Sequence, residues 1–458
     1  MRGFLASSIG VTCAAALALP LTLPSSGARA ATPAAESPAG PSAESVPGST
    51  QSLPLTPLGS DRSTGGGASV EQGLLQREVR PFSLVGVIWD DPDDELHGSV
   101  QVRTRANGTS TWSGWQPVET HNHEHAADPD DPERASGRVR GSTAPLWVGD
   151  SDGVEIRVRG EMAQHRGGAH PSAGQALPTG LRLELVDPGA EPPPQGPAPK
   201  GAGSTALTAE TAASSAVNAD LAPLGADVIP ALGKKETESD LIAARGGPEE
   251  AAGQARPYVG PRPRITTRKG WGANERLREK NFAYTKTVKA AFVHHSASGN
   301  NYRCSQTGSV LRSIYRFHVK SSGWRDIGYN FAVDKCGKIY EGRAGGVAKP
   351  VLGAHTLGFN SNSMGIAVIG SFGSTRPPAA SVRAIARLTA WKLGLYGANP
   401  RGKTYLRSGG GNLYKKGRNV RLHVISGHRD GFATECPGSR LYQKLGKARS
   451  TSARYQGR

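Results

Sequence analysis

Apolar and polar residues alternate with a period of two along several short segments in the first half of the chain. The alternation runs through residues 99–105, 154–159 and 181–186, and a more continuous apolar run at 82–89 precedes them. Alternation of this kind indicates strands with one buried face, and clusters of Asp, Gly and Pro separate the segments as turns would. We therefore predict an all-β, sandwich-like accessory domain over residues 77–187.

The last two hundred residues combine strand-like and helix-like segments, which indicates a mixed α/β domain over residues 257–458. Buried strands are predicted near 290–293, 328–333 and 364–369, and apolar residues at helical spacing predict helices over 309–320 and 380–395. Residues 409–418 interrupt any regular pattern, so we expect an exposed loop there.

Two other segments have a different composition. Residues 31–76 and 188–256 are rich in Ala, Pro, Gly and Ser and hold few large apolar side chains. Such segments bury too little surface to offset the entropy of ordering, so they predict a disordered spacer and a linker. A short apolar patch at 221–229 is expected to dock locally.

The first thirty residues pair the early charge of Arg2 with an apolar run and end in Ala28-Arg29-Ala30. This is the pattern of a secretory signal peptide. A membrane anchor is the alternative, but Pro20 and Pro24 interrupt the run before it could comfortably span a bilayer. We predict a protein secreted to the cell wall or beyond, with no membrane anchor.

The formal net charge of +17 is unevenly distributed along the chain. Residues 257–458 hold 36 Lys and Arg against 7 Asp and Glu, or +29, whereas the remaining residues hold 19 against 31, or −12. A field of this sign attracts polyanions. For an exported protein these are anionic cell-wall polymers rather than nucleic acid, since the sequence lacks the aromatic and basic motifs of nucleic-acid binders. A merely solvated basic surface is the alternative.

Three cysteines remain after removal of a signal peptide, namely Cys304, Cys336 and Cys436. Because oxidising compartments favour pairing, an odd number predicts one disulfide and one cysteine with another role.

The candidate chemistry lies in two histidines and a cysteine. His294 and His428 each end a predicted strand, and Cys436 follows eight residues after His428. Zinc accepts nitrogen and sulfur ligands, and hydrolytic sites use three protein ligands with the fourth position left for water. The alternative for each histidine is a structural, hydrogen-bonded role.

A second histidine cluster, His-Asn-His-Glu-His at 121–125, lies in the β-rich domain. Three imidazoles at alternate positions would share one strand face and bind a metal. We favour a flexible acidic loop, because Asp-Pro-Asp-Asp-Pro follows at 128–132, and keep a metal site as the lesser alternative.

Five motifs between about residues 260 and 446 resemble, in order and spacing, the peptidoglycan recognition protein and zinc N-acetylmuramoyl-L-alanine amidase family. They are Val-His-His-Ser-Ala at 293–297, Trp-Arg-Asp-Ile-Gly-Tyr-Asn-Phe at 324–331, Tyr-Glu-Gly-Arg at 340–343, Gly-Ala-His-Thr-Leu-Gly-Phe-Asn at 353–360, and Gly-His-Arg-Asp at 427–430 with Thr-Glu-Cys-Pro-Gly at 434–438. The resemblance implies a central mixed sheet flanked by helices, with a substrate groove above a zinc ion.

Matched position by position, the resemblance implies a site. The zinc ligands would be His294, His428 and Cys436, and Tyr329 and Thr434 would hydrogen-bond a developing oxyanion. Residues that would line the substrate groove, each with a structural role as its alternative, are His318, Trp324, Arg343, His355 and Asn360. With Cys436 as a ligand, Cys304 and Cys336 would form the disulfide, two free thiols being the alternative.

The function implied is hydrolysis of the amide bond between the muramic acid lactyl group and L-Ala of the peptidoglycan stem peptide. The proton donor to the leaving amine stays open: Glu435 is close to a ligand in sequence, but its side chain is expected to point away from the metal. The alternative function is peptidoglycan recognition without cleavage, which needs no metal. Retention of all three ligands favours the enzyme.

Overall fold

The alternating segments of the first half pair into one sheet. The computed structural model of the chain describes residues 47–58, 71–161, 176–190, 207–246 and 257–458. The eight strands of this sheet are all paired antiparallel. They are β1 (Ser49–Pro54), β2 (Thr56–Pro57), β3 (Glu71–Trp89), β4 (Gly98–Ala106), β5 (Gln116–Val118), β6 (Gly141–Ser142), β7 (Leu146–Gly160) and β8 (Arg182–Asp187). The prediction of an all-β domain is confirmed.

The last eight residues of strand β3, 82–89, lie inside this sheet and are buried on both faces. Its residues Val85, Val87 and Trp89 pack into the core of the β-rich domain, whereas Leu84 and Ile88 point the other way and join a second core. Side chains alternate along a strand, so two-sided burial requires apolar residues at every position. The continuous apolar run at 82–89 therefore marks a strand with no solvent-facing side.

The predicted boundaries of the β-rich domain are wrong at its N-terminal side. Strand β1 pairs with β8 over six residues, from Ser49 opposite Asp187 to Pro54 opposite Arg182, inside the predicted spacer 31–76. An edge strand needs few apolar residues, so its composition resembles that of a spacer. The predicted signal peptide and residues 31–46 of the predicted spacer lie outside the described residues.

The predicted linker 188–256 also contains ordered structure. It holds α1 (Ala209–Ala216), β9 (Val228–Ile229) and α2 (Lys234–Ala244). The Thr208 side chain caps α1 by accepting from the backbone N–H of Thr211. Ile229 is fully buried in the core of the C-terminal domain, so the apolar patch at 221–229 docks there as expected.

The C-terminal domain is a mixed sheet with helices packed on it, as predicted. The seven strands of the sheet lie in the order β17-β11-β14-β12-β13-β10-β9. Its remaining strands are β10 (Ile265–Thr266), β11 (Ala290–His295), β12 (Phe331–Val333), β13 (Ile339–Glu341), β14 (Ser363–Val368) and β17 (Ile425–Gly427), with β15 (Lys403–Arg407) and β16 (Asn419–His423) as a separate antiparallel pair. Its helices are α3 (Thr307–Arg316), α4 (Ala379–Leu395), α5 (Ser439–Tyr442) and α6 (Leu445–Gln456).

The two long predicted helices correspond to α3 and α4. In α4 the predicted inward-facing residues Val382, Ile385, Leu388 and Trp391 are buried. Helix α3 is shorter than the predicted 309–320, because a π-helical turn, Phe317–Ser321, replaces its last part. Such turns are frequent at functional sites. Within the described residues, no helix has the length and apolarity needed to cross a membrane.

One apolar core joins the two domains. Leu84, Ile88 and Val186 of the β-rich sheet pack with Ile314 of α3 and with Phe317. Gly86 lies between Leu84 and Ile88 on the same face, and a Cβ atom there would be 2.5 Å from the Phe317 ring. The close approach therefore requires a glycine at position 86, and the sheet is packed directly onto the C-terminal domain.

A disulfide joins Cys304, just before α3, to Cys336, in the turn after β12, across a sequence separation of 32. A cross-link over a loop of this length removes unfolded-state entropy worth about 3–4 kcal/mol.

We therefore expect the double variant Cys304→Ser/Cys336→Ser to lose about 3–4 kcal/mol of unfolding free energy, measured by denaturant titration. The wild-type chain in a reducing agent is the matched control, because it lacks the same bond without a substitution. A variant as stable as the oxidised wild type would contradict the expectation.

Candidate metal centre

Parallel pairing brings the two strand-ending histidines together. Strands β11 and β17 are neighbours, with Val293 opposite Gly427, so His294 and His428 come next at the same edge of the sheet. Their ring centroids are 4.5 Å apart, and both side chains are fully buried. The strand ends therefore place two imidazoles at one point, as the sequence pattern suggests.

Cys436 reaches the same point from the segment that follows His428. Its Sγ atom lies 3.7 Å from Nδ1 of His294, and the side chain is buried. It is the one cysteine outside a disulfide in the described part of the chain. The structure thus brings together the three residues for which the sequence predicts a metal-binding role.

A fourth side chain comes from the β-rich domain. The potential ligand atoms of His125, His294, His428 and Cys436 all lie within 4.8 Å of one another. His125 belongs to residues 119–140, which connect β5 to β6 and which we call the covering loop. The favoured prediction of a flexible acidic loop at 121–125 is wrong, because His125 is buried with its ring centroid 4.5 Å from that of His428.

The chemistry of this cluster fits a metal cation. Neither ring nitrogen of His125 or of His428 has a hydrogen-bond partner among the described residues, and a buried polar group left unpaired costs about 1–3 kcal/mol. Burial, and then neighbouring histidines, hold the pKa of both rings well below the usual value. The rings are therefore neutral, with lone pairs free for a metal.

Burial raises the pKa of the Cys436 thiol well above its usual value. Without a cation nearby, this thiol would stay protonated, because a thiolate in an apolar interior is costly. A bound metal ion reverses that preference, since a coordinating thiol is deprotonated outright. The cluster could therefore hold a cation on three imidazoles and one thiolate.

Tyr329 and Thr434 lie beside the cluster. The Tyr329 ring centroid is 5.5 Å from that of His294, and burial raises the pKa of its phenol well above the usual value, so it remains a donor. Thr434 accepts from the Cys436 backbone N–H and donates to Glu124 of the covering loop, at 2.6 Å. Glu435 points away, since its side chain is 82% exposed and pairs with Arg429.

Three of the predicted groove residues are buried histidine and tryptophan side chains. The His318 and Trp324 rings are in contact, tilted by 35° with centroids 4.3 Å apart, and His318 Nδ1 accepts from the Gly328 backbone N–H. The ring centroid of His355 lies 5.3 Å from that of His294. Burial, and then Arg343, lower the pKa of His318 and His355 to about 3.

The other two predicted groove residues bind the covering loop. Arg343 forms a two-bond ion pair with Glu133, at 2.8 and 3.0 Å. The Asn360 side-chain amide donates to the Ala126 carbonyl and to Asp128. The side-chain oxygen of Asn360 also accepts from the backbone N–H groups of residues 355 and 356, so it shapes its own loop as well.

Glu133 is ionised in its buried position. Burial alone would raise the pKa of its carboxyl group, but the attraction and hydrogen bonds of Arg343 outweigh that effect and the pKa is lowered. The pair is thus a charged, two-bond contact between the covering loop and the C-terminal domain.

Parts of the chain are similar to known proteins. Residues 284–439 match the family model described as N-acetylmuramoyl-L-alanine amidase. Peptidoglycan-recognition protein SC1a of Drosophila melanogaster is 32% identical over 155 residues, which are 34% of this chain and 70% of that protein. The chain belongs to the peptidoglycan recognition protein family.

Other members of the family show similar likeness. Peptidoglycan-recognition protein SC2 of Drosophila simulans is 27% identical over 183 residues, covering 40% of this chain and 84% of that protein. The solved structure of Drosophila PGRP-LB is 27% identical, covers 40% of this chain and 91% of that chain, and has a TM-score of 0.32. Residues 35–182 match a separate model, the Rv3811 N-terminal galactose-binding domain-like family. The predicted family is confirmed, and it indicates a peptidoglycan-related function, hydrolysis or recognition.

Sequence reasoning missed the residues that the covering loop contributes to the site. They are Glu124, His125, Asp128 and Glu133. The spacing of His-Asn-His-Glu-His at 121–125 did signal metal chemistry, but its partners lie 169 or more positions away. No local feature of the sequence connects residues 121–125 with His294, His428 or Cys436.

The Glu133–Arg343 pair gives a pH-dependent contribution to stability. Because the folded-state pKa of Glu133 is below the ordinary 4.5, the contribution is fully present above about pH 4.5 and is lost as pH falls through the lowered value. We expect Glu133→Gln to cost about 2–5 kcal/mol at neutral pH, and the difference from wild type to shrink below pH 4.5, measured by denaturant titration. Asp130→Asn removes an exposed ion pair with Lys416 and should show neither effect.

Proposed function

We propose that this chain is a zinc-dependent N-acetylmuramoyl-L-alanine amidase of the cell wall. It would break the C–N bond between the muramic acid lactyl carbonyl and L-Ala, with hydroxide from water adding to the carbonyl carbon and a proton passing to the amine. The observation that carries the proposal is the convergence of His294, His428 and Cys436 at one buried point beside Tyr329.

The metal site would use these three residues as ligands. Two imidazoles and a thiolate suit zinc. Such an ion would supply Lewis-acid chemistry for amide hydrolysis. The Thr356 hydroxyl, 3.4 Å from His294 Nε2, would fix the orientation of that ring, as outer-shell hydrogen bonds commonly do.

Two hydroxyl groups would assist the reaction. The Tyr329 phenol keeps its proton because burial raises its pKa, so it would donate a hydrogen bond to the developing oxyanion. Thr434 would donate a second one when its hydroxyl is free of Glu124. Donors held in place before the reaction stabilise the transition state most.

The substrate would lie along Trp324, Arg343 and Asn360. The Arg343 guanidinium suits a stem-peptide carboxylate, because its paired N–H groups match two carboxylate oxygens. The excess of basic residues in 257–458 supports a location among anionic wall polymers. The disulfide supports an oxidising, extracytoplasmic compartment.

Release of free amino groups from purified peptidoglycan tests the proposal. We expect release by the zinc-loaded protein, loss of release with a chelator, and recovery when zinc is restored. Since the covering loop lies over the cluster, the assay includes His125→Ala beside the wild type. Peptidoglycan binding with no release by either form, even with added zinc, would favour recognition without cleavage.

Two variants separate the metal from the oxyanion donors. Cys436→Ala leaves three histidines, so it should bind zinc more weakly and lose activity, whereas Tyr329→Phe should keep the zinc and lose about 100- to 1,000-fold in kcat. Zinc content and the rate of amine release are measured on the same preparations. Tyr405→Phe, at a tyrosine that is 59% exposed, is the matched control. A Tyr329→Phe enzyme with wild-type kcat would remove Tyr329 from the mechanism.

A further inference from the structure

The covering loop adds a fourth potential ligand to a site for which three suffice. His125 lies 4.5 Å from His428 and 5.2 Å from His294, measured between ring centroids. Catalytic zinc sites keep one position open for water or substrate, whereas four protein ligands make a closed, structural site. With His125 in place, the cluster has the composition of a closed site.

The same loop covers the residues that would bind substrate. Glu124 accepts from Thr434, Glu133 neutralises Arg343, and Asp128 accepts from Asn360. The loop backbone also takes part, since the Leu357 N–H donates to the Glu124 carbonyl at 2.9 Å. Three polar side chains of the proposed site, Thr434, Arg343 and Asn360, are thus bonded to residues of the covering loop.

These contacts imitate a peptide ligand. The loop presents carboxylates and backbone carbonyls to a basic domain. Glu133 binds the guanidinium of Arg343, which would otherwise be free to bind a substrate carboxylate. A further acidic residue, Asp131, pairs with Arg325 at the edge of the loop. The loop is therefore complementary to the groove in charge as well as in position.

The loop is held at both ends but is not part of either core. Its ends continue into β5 and β6 of the sheet, and that sheet is packed on α3 and Phe317. It contacts the groove through hydrogen bonds, ion pairs and one small apolar cluster, in which Ala126 packs with Leu357 and Phe432. The loop can therefore leave the groove without disrupting the apolar core that joins the domains.

We propose that the chain folds in a latent form, in which His125 is a displaceable fourth zinc ligand and the covering loop blocks the substrate groove. Hydrolysis then requires the loop to leave. This inference rests on the proposed amidase function and adds its regulation. Apparent affinity for substrate falls in proportion to the fraction of molecules with the loop displaced.

The test uses the full chain with two loop variants and two controls. His125→Ala removes the fourth ligand, and Glu133→Gln weakens the contact with Arg343. The controls are His121→Ala, which changes an exposed histidine of the same loop, and Asp130→Asn, which removes an exposed ion pair. All four are assayed with excess zinc, so that a weaker site stays filled.

Three quantities are measured for each protein: the rate of amine release from peptidoglycan, the affinity for zinc by competition with a chelator, and the affinity for a soluble muramyl peptide. We expect both loop variants to release amine, and to bind the muramyl peptide, at least about tenfold better than wild type. His125→Ala should also bind zinc at least about tenfold more weakly. A residue needed only for folding or for the reaction would not raise activity when it is removed.

The outcomes separate latency from the amidase proposal. If the wild type cleaves peptidoglycan and neither loop variant is faster, the loop does not regulate the site and the latency proposal fails while the amidase stands. If no protein releases amine, the amidase proposal fails, and the affinity for the muramyl peptide then tests whether the loop blocks the groove. Tighter binding by both loop variants then supports a blocked groove, and unchanged binding overturns it.

Discussion

The arrangement of this molecule depends on the apolar contact between strand β3 and helix α3. Leu84 and Ile88 on one side and Ile314 and Phe317 on the other form a continuous core, and the missing side chain at Gly86 lets the Phe317 ring approach the strand. Burial of such side chains contributes about 1.5–3 kcal/mol each. The contact makes the β-rich domain part of the candidate site, because it fixes the ends of the covering loop beside the cluster of three histidines and Cys436.

Sequence patterns predicted the parts of the fold whose signal is local. The stripe of Val382, Ile385, Leu388 and Trp391 indicated α4, and two strand-ending histidines indicated the metal cluster. Parallel pairing of β11 with β17 then brings His294 beside His428. The helix signal lies in a few neighbouring residues, and each histidine is marked by the apolar strand that precedes it.

Features that depend on distant partners were not predictable in this way. Strand β1 resembles a spacer until its pairing with β8 is known, and residues 207–246 resemble a linker until Ile229 is seen in the core. His125 and Glu133 look like members of a solvated acidic loop. Only the tertiary structure shows that one faces His428 and the other faces Arg343, because the burial of a charged side chain depends on a partner that the local sequence does not specify.

The cluster at the strand ends draws its potential ligands from both halves of the chain. His125 belongs to the β-rich domain and the other three residues belong to the C-terminal domain. An ion held by all four would act as a tie between the two domains, in addition to their apolar contact. Binding equilibria of this kind are reciprocal. The factor by which the docked loop raises the affinity for the ion equals the factor by which the bound ion favours docking of the loop. Metal concentration and loop position would therefore be thermodynamically linked.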